Sequence, residues 1–352
     1  MNTFERMTAV YEHREPDRVP ITDGLWQSTV ARWREEGLPD GTSVEEYFGW
    51  EEIVGIGFDN SPRFDPIVVE ETDTYRINRD GLGQTHRNFK PESSTPEYID
   101  SLVKDPETWK LAKERMTYSD DRVNWNFLEE HHAGWREQGK WIMTAPYWSF
   151  DIVCTRMCNS EIILYAMADN PGWVKEMCDT GVELSIEIMD KLWEAGYTFD
   201  ELLWFDDMAY KNGLLFSKDM WREILMPYQK RYIDWAHAHD IKAHLHCCGR
   251  ITELVPDLIE LGVDILDPME IKAGMDPLYM KKEFGKDLAL RGGFDIQNWS
   301  HPEKAEEEIR RVLPGMMELG GYVFSSDHSI ADSVSFDNYK HVVSVVKEVG
   351  KY

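Results

Sequence analysis

Short apolar runs, rich in β-branched and aromatic residues, recur along this chain, and each gives way to a turn signal and then a longer helical pattern. They begin at Val19–Thr22, Ile53–Phe58, Trp141–Thr144 and Leu202–Phe205, and continue at closer spacing with Ile241–His246, Val263–Leu266, Leu288–Arg291 and Tyr322–Phe324. A strand–helix alternation repeated about eight times is the pattern of a parallel sheet closed on itself, so the expected fold is an α/β protein of the (β/α)8 TIM barrel type. At 352 residues the chain exceeds the roughly 250 that such a barrel needs, so residues 1–352 read as one domain carrying an insertion. The excess falls between the second and third runs. Residues 61–140 are too long for one crossover helix, and they read as an insertion over the barrel mouth. Within it, Tyr75–Gly81 looks like a strand entering a hairpin at Asp80-Gly81, and Thr95-Pro96-Glu97 looks like the start of a helical stretch. Among the crossover helices, one long helix is expected from Ser217 to about His239, a shorter one from Thr252 to Leu261, and one over Pro302–Leu319.

Composition narrows the function classes. A formal charge of −27 argues against nucleic acid, which repels such a surface. It reads first as a solubility feature, and second as a field that steers a partner with a basic docking face. No run approaches the roughly 20 apolar residues of a membrane span, and the N-terminal residues lack an apolar signal core. A cytoplasmic protein without membrane contact is expected. Five cysteines, two of them adjacent, do not form a disulfide framework and read as thiols. Cys154 and Cys158, four apart beside Met157 and Ile162, read as core. No Ser-centred nucleophile elbow and no phosphate-binding loop is present, and Gly292-Gly293 reads as a tight turn.

Barrel chemistry sits where strands end. The polar residues at those places are Asp23, Asp59, Tyr147, Asp206 and Asp207, His246 and Cys248, Glu270, Asp295, and Asp327 with His328. His246-x-Cys248-Gly249 is the sharpest of these. Side chains alternate along a strand, so His244, His246 and Cys248 share one side, and imidazole nitrogen and thiolate are good zinc ligands. The other reading is packing or hydrogen bonding inside the barrel. A metal site would need a third ligand, with His328 the first choice and Asp327, Glu270 and Asp206 as alternatives. Of the adjacent Asp206 and Asp207, one can face the pocket while the other caps a loop. A pocket-facing Asp could orient substrate, bind metal or shuttle a proton. Trp26, Tyr147 and Trp148 are candidate apolar walls, and Asp295 is a candidate substrate contact.

Several segments together are similar to the uroporphyrinogen decarboxylase superfamily: Pro16-Asp17-Arg18-Val19-Pro20, Asp206-Asp207-Met208 with Gly213 and Ser217, Pro227-Tyr228, and His246-x-Cys248-Gly249. Gly262-Val263-Asp264, Gly274-Met275-Asp276, Gly293-Phe294-Asp295 and Gly320-Gly321-Tyr322 continue the likeness in the same order over most of the chain. The resemblance implies a (β/α)8 barrel. True decarboxylases of this superfamily carry an Arg-Gln-Ala-Gly-Arg motif that holds a polyanionic tetrapyrrole, and here Trp26-Gln27-Ser28-Thr29-Val30-Ala31-Arg32 stands in its place. The chain is closer to the cobalamin-linked methyltransferases, in which a His-x-Cys pair and a late cysteine hold zinc. The pair is present as His246 and Cys248, but the late stretch reads Ser325-Ser326-Asp327-His328 without cysteine. With one thiolate the zinc would be a stronger Lewis acid, suited to an ether or alcohol oxygen.

The resemblance therefore implies a methyltransferase using Zn2+ and a corrinoid (cobalamin) carried by a partner protein. It would demethylate a small methylated or methoxylated substrate, with Asp206, Asp207 or Glu270 positioning substrate or moving a proton. A homodimer is the candidate assembly. The alternatives are a metal-free lyase resembling the decarboxylases, with Asp59 as the acid near the substrate, and a non-catalytic barrel that binds a tetrapyrrole or corrinoid.

Overall fold

The structure is a computed structural model, and it describes residues 1–90, 95–146 and 149–352. Its strands in chain order are β1 (Ile53–Gly55), β2 (Ile67–Glu71), β3 (Tyr75–Arg79), β4 (Gln84–Phe89), β5 (Glu97–Ser101), β6 (Trp141–Thr144), β7 (Glu201–Phe205), β8 (Ala209–Tyr210), β9 (Gly213–Leu214), β10 (Lys242–His246), β11 (Ile265–Asp267), β12 (Ala289–Arg291) and β13 (Tyr322–Val323). Seven of them form one parallel sheet in the order β1-β6-β7-β10-β11-β12-β13, with helices in the crossovers. This is an α/β, TIM-barrel-like architecture.

The first expected strand, Val19–Thr22, takes part through single links. Phe324 N–H donates to Pro20 O at 2.9 Å, Thr22 N–H to Phe324 O at 3.0 Å, and Glu51 N–H to Ile21 O at 2.9 Å. These bonds carry the segment from the last strand, β13, toward the residues that lead into β1.

The helix Thr3–Tyr11 supplies the floor of the sheet's interior. Its Met7, Val10 and Tyr11 pack with Trp141, Ile265, Ala289 and Val323, which project inward from four different strands. Ion pairs hold it there: Arg6 reaches Asp17 at 2.7 Å and the buried Glu51 at 2.8 Å, and Arg18 reaches Glu51 at 2.7 Å. The larger core lies between the sheet and the crossover helices. Cys154, Cys158 and Cys178 are wholly buried there, with 3.8 Å between the sulfurs of Cys154 and Cys178.

Two expected elements differ. The helix from Ser217 is two helices, Lys218–Ile224 and Met226–Ala238, because Pro227 lacks the N–H that a continuous helix requires. Thr95-Pro96-Glu97 opens β5, not a helix: the chain adds to the edge of β4, completing an antiparallel sheet β2-β3-β4-β5. The helix begins later, at Pro106, where Asp105 and Thr108 form a reciprocal cap. Among the described residues, no helix is long and apolar enough to cross a membrane.

Candidate metal centre

Strand β10 sorts its residues by alternation. Ala243 and Leu245 are fully buried on the outer side, while His244 and His246 face inward opposite Leu203 and Phe205 of β7. Cys248 continues the inward side as the strand ends. Gly249 then turns at φ +87°, where a Cβ would lie 2.7 Å from the backbone of Ala209, so the tight approach to β8 requires glycine. The same alternation separates the adjacent acids after β7. Asp206 points outward and is fully buried, accepting from Gln229 Nε2 at 2.7 Å and from Asp151 N–H at 3.1 Å. Burial pushes its carboxyl up to about 7. Asp207 points inward.

Among the described residues, one group of three side chains brings metal-ligand atoms within 4.8 Å of one another: Asp207, His246 and Cys248. His246 Nε2 lies 3.5 Å from Cys248 Sγ and 4.0 Å from Asp207 Oδ1. Asp207 Oδ1 also accepts from the backbone N–H of Cys248 at 2.8 Å, which ties the end of β7 to the end of β10.

Behind the group runs a buried chain of hydrogen bonds. His246 Nδ1 donates to Asp267 Oδ1 at 3.2 Å, and the same oxygen lies 3.0 Å from His244 Nε2. His244 Nδ1 meets Glu201 Oε1 at 2.6 Å, and Trp141 Nε1 donates to Glu201 Oε2 at 2.7 Å. Burial opposes charge on His244, but Asp267 and Glu201 outweigh it and lift the imidazole to about 9. Burial likewise opposes ionisation of Asp267, and the two histidines overcome it, holding the carboxyl well below its usual range. An ionised carboxylate only accepts, so Nδ1 of His246 carries a hydrogen and Nε2 is the atom presented to Cys248 and Asp207. Burial, with Asp207, Glu270 and Asp267 nearby, pushes the Cys248 thiol up. A cation bound among these donors would oppose that shift.

The other expected site residues lie apart from this group. His328 faces Trp26, with ring centroids 6.4 Å apart, and it does not join the three donors. Glu270 accepts from Gly249 N–H at 2.6 Å and so fixes the turn behind Cys248. Asp327 is buried and accepts from Ile271 and Ile296 N–H at 3.0 and 3.1 Å, binding three strand-end loops together. Asp295 caps the short helix Ile296–Ser300, and Asp59 pairs with Arg63 at 2.8 Å. Tyr147 and Trp148 lie outside the described residues. A cavity of about 440 Å³ opens at the other end of the strands among Phe4, Trp193 and Lys242 and shares no residue with the group.

Asp267 and Glu201 were not legible as site residues. The available signal for Asp267 was a charged residue ending the apolar run Ile265-Leu266.

The model of the family described as uroporphyrinogen decarboxylase (URO-D) matches residues 149–349, more than half of the chain. Among solved structures, a methyltransferase from Methanosarcina mazei superposes with a TM-score of 0.67 at 17% identity, covering 99% of both chains. A putative vitamin-B12 independent methionine synthase from Listeria monocytogenes gives a TM-score of 0.41 at 12% identity, over 96% of this chain and 99% of that one. A search of curated proteins finds no match. On the family match, and with a fold shared along its whole length with the first of these structures, the chain belongs to the uroporphyrinogen decarboxylase family.

Proposed function

We propose that the chain is a zinc-dependent methyltransferase that moves a methyl group between a small methylated compound, a methoxylated one in the favoured case, and a corrinoid carried by a partner protein. The observation that carries this reading is the presentation of His246 Nε2 to Cys248 Sγ and Asp207 Oδ1, with Nδ1 tied to Asp267. Tetrahedral zinc, with bonds of about 2.0–2.3 Å, needs neighbouring N and S donors roughly 3.5 Å apart, and a carboxylate-bound second nitrogen is the usual support of a zinc histidine. The 3.5 Å between Nε2 and Sγ fits, and a small rotation of Asp207 closes the 4.0 Å gap. Three protein donors leave one position for substrate.

When bound, zinc would supply Lewis acidity to the substrate heteroatom, so that the methyl group leaves to the reduced corrinoid. The chain's own part is positional. Asp267 sets the tautomer of His246, Glu270 fixes the turn that aims Cys248, and Asp207 couples two strand ends. A tetrapyrrole decarboxylase is disfavoured by the helix Gln27–Glu35, whose Arg32 pairs with Glu36 and the Asp332 carbonyl and so does not serve as a carboxylate clamp.

Metal analysis with a spectroscopic assay tests the reading. About one zinc per chain is expected, lost in His246→Ala and Cys248→Ser, together with substrate-dependent methylation of a cob(I)alamin-loaded partner seen in its visible spectrum. Protein purified without zinc, and taking up none, overturns it.

A further inference from the structure

Asp207, but neither His246 nor Cys248, lines a pocket of about 280 Å³. Three parts of the chain converge on it: Tyr98 from β5, the π-helical segment Phe150–Arg156, and the first turn of the helix Ser160–Asp169 through Asn159 and Ser160. Every residue lining it carries a hydrogen-bonding or charged side chain, and no aliphatic wall is present among the described residues. Such a pocket disfavours an apolar aryl group and suits a compact polar one.

Among the described residues, the one cation lining it is Arg156. Nε and Nη2 of that guanidinium both reach Asp151 Oδ2, at 3.1 and 3.0 Å, and Thr155 Oγ1 donates to Asp151 Oδ1 at 3.1 Å. Asp151 is therefore neutralised and held, and it presents the arginine as a fixed plane. One edge of the fork is used. The other edge, through Nη1, has no protein partner among the described residues, and the side chain is 41% exposed. The positive end of the helix Ser160–Asp169 adds to the same field. Asp207 Oδ1 accepts from the N–H of Cys248 and belongs to the donor group, where a bound cation would offset the carboxylate's charge.

We infer that this pocket is the substrate-headgroup subsite, in which the open edge of Arg156 binds a carboxylate, so that the substrate is a small methylated carboxylic acid with its methylated oxygen toward Asp207, His246 and Cys248. The inference rests on the methyltransferase reading for what happens at the methyl group, but the binding it assigns is independent of turnover. A planar carboxylate matches the free guanidinium edge in two parallel hydrogen bonds, which a neutral group does not reproduce.

Calorimetric titration with methoxyacetate and with its neutral counterpart 2-methoxyethanol tests this. The protein as purified should bind the acid at least about tenfold more tightly, the scale of one charge-assisted pair. Arg156→Gln should abolish the preference, Arg156→Lys should restore part of it, and His246→Ala should leave it in place. Melting curves would show that each variant is folded. An Arg156→Gln protein that still prefers the acid, or a wild type with no preference, overturns the inference. Loss of the preference in His246→Ala with retention in Arg156→Gln would place the carboxylate on the metal donors, which sinks this subsite but leaves the methyltransferase reading standing. A protein without zinc that keeps the Arg156-dependent preference fails that reading alone.

Discussion

Asp267 shows how one side chain away from the pocket decides what a ligand residue can do. It touches neither Cys248 nor the pocket described above, yet its Oδ1 takes the Nδ1 hydrogen of His246 and leaves Nε2 to face the other donors. Asp267→Asn keeps the size and loses the charge, so zinc affinity should fall by roughly 10- to 100-fold. Competition with a chromophoric chelator measures this, and unchanged affinity would remove Asp267 from the account. At this scale the sequence was legible in part. Alternation along a strand was enough to place His246 and Cys248 on one side and to set Asp206 and Asp207 on opposite sides, but not to say which faces inward: Asp206 was an alternative metal ligand, and it is Asp207 that joins the group. It could not say which distant acid would stand behind the histidine, because Asp267 meets His246 only through the β10–β11 register. Nor could it choose the third donor. His328 was favoured for its chemistry, but the chain after β13 turns it toward Trp26, while Asp207 arrives beside Cys248 through a backbone hydrogen bond.

The helix Thr3–Tyr11 and the segment at Pro20–Thr22 act as elements. Met7 is wholly buried against inward-facing residues of several strands, so Met7→Ala should cost about 2–5 kcal/mol and lower the melting temperature. Chemical denaturation reads the loss directly. Asp23, just after the closing segment, accepts from Ser326 Oγ and from Tyr339 at 3.2 Å, and burial raises its carboxyl to about 6. Between the ordinary carboxylate value and about 6, the folded state thus holds a proton that the unfolded chain has released. This group contributes stability at low pH that is lost as pH climbs through about 6. Asp23→Asn should flatten the wild-type fall over that window, and equal slopes in the two proteins would count against it. The sequence signals here were local. Asp80-Gly81 marked a hairpin that exists between β3 and β4, whereas the strand at Glu97 depended on a neighbour, β4, that no local pattern reveals.

The whole molecule carries a formal charge of −27, and self-repulsion works against any compact state with such a surplus. The screening length falls to about 8 Å at 0.15 M salt, so thermal stability should rise as sodium chloride is increased from about 10 to 150 mM. A melting temperature independent of salt would mean that local ion pairs already neutralise the field. The strand–helix rhythm was legible at this scale because most of the parallel strands are largely buried and read as short, mainly apolar runs. Closure was less so: the segment at Pro20–Thr22 joins through isolated hydrogen bonds, too few to leave a strand-length pattern.

The floor under the parallel strands has a consequence in time. Met7 and Val10 pack against Val323, so this helix finds part of its shelter only in residues made more than three hundred positions later. Contacts of such long sequence separation form slowly. In a growing chain the cover of this helix, held meanwhile by Arg6 and Glu51, is therefore incomplete until β13 emerges. Pulse-labelled hydrogen exchange during refolding should find the amides of Thr3–Tyr11 protected no earlier than those of Tyr322–Val323.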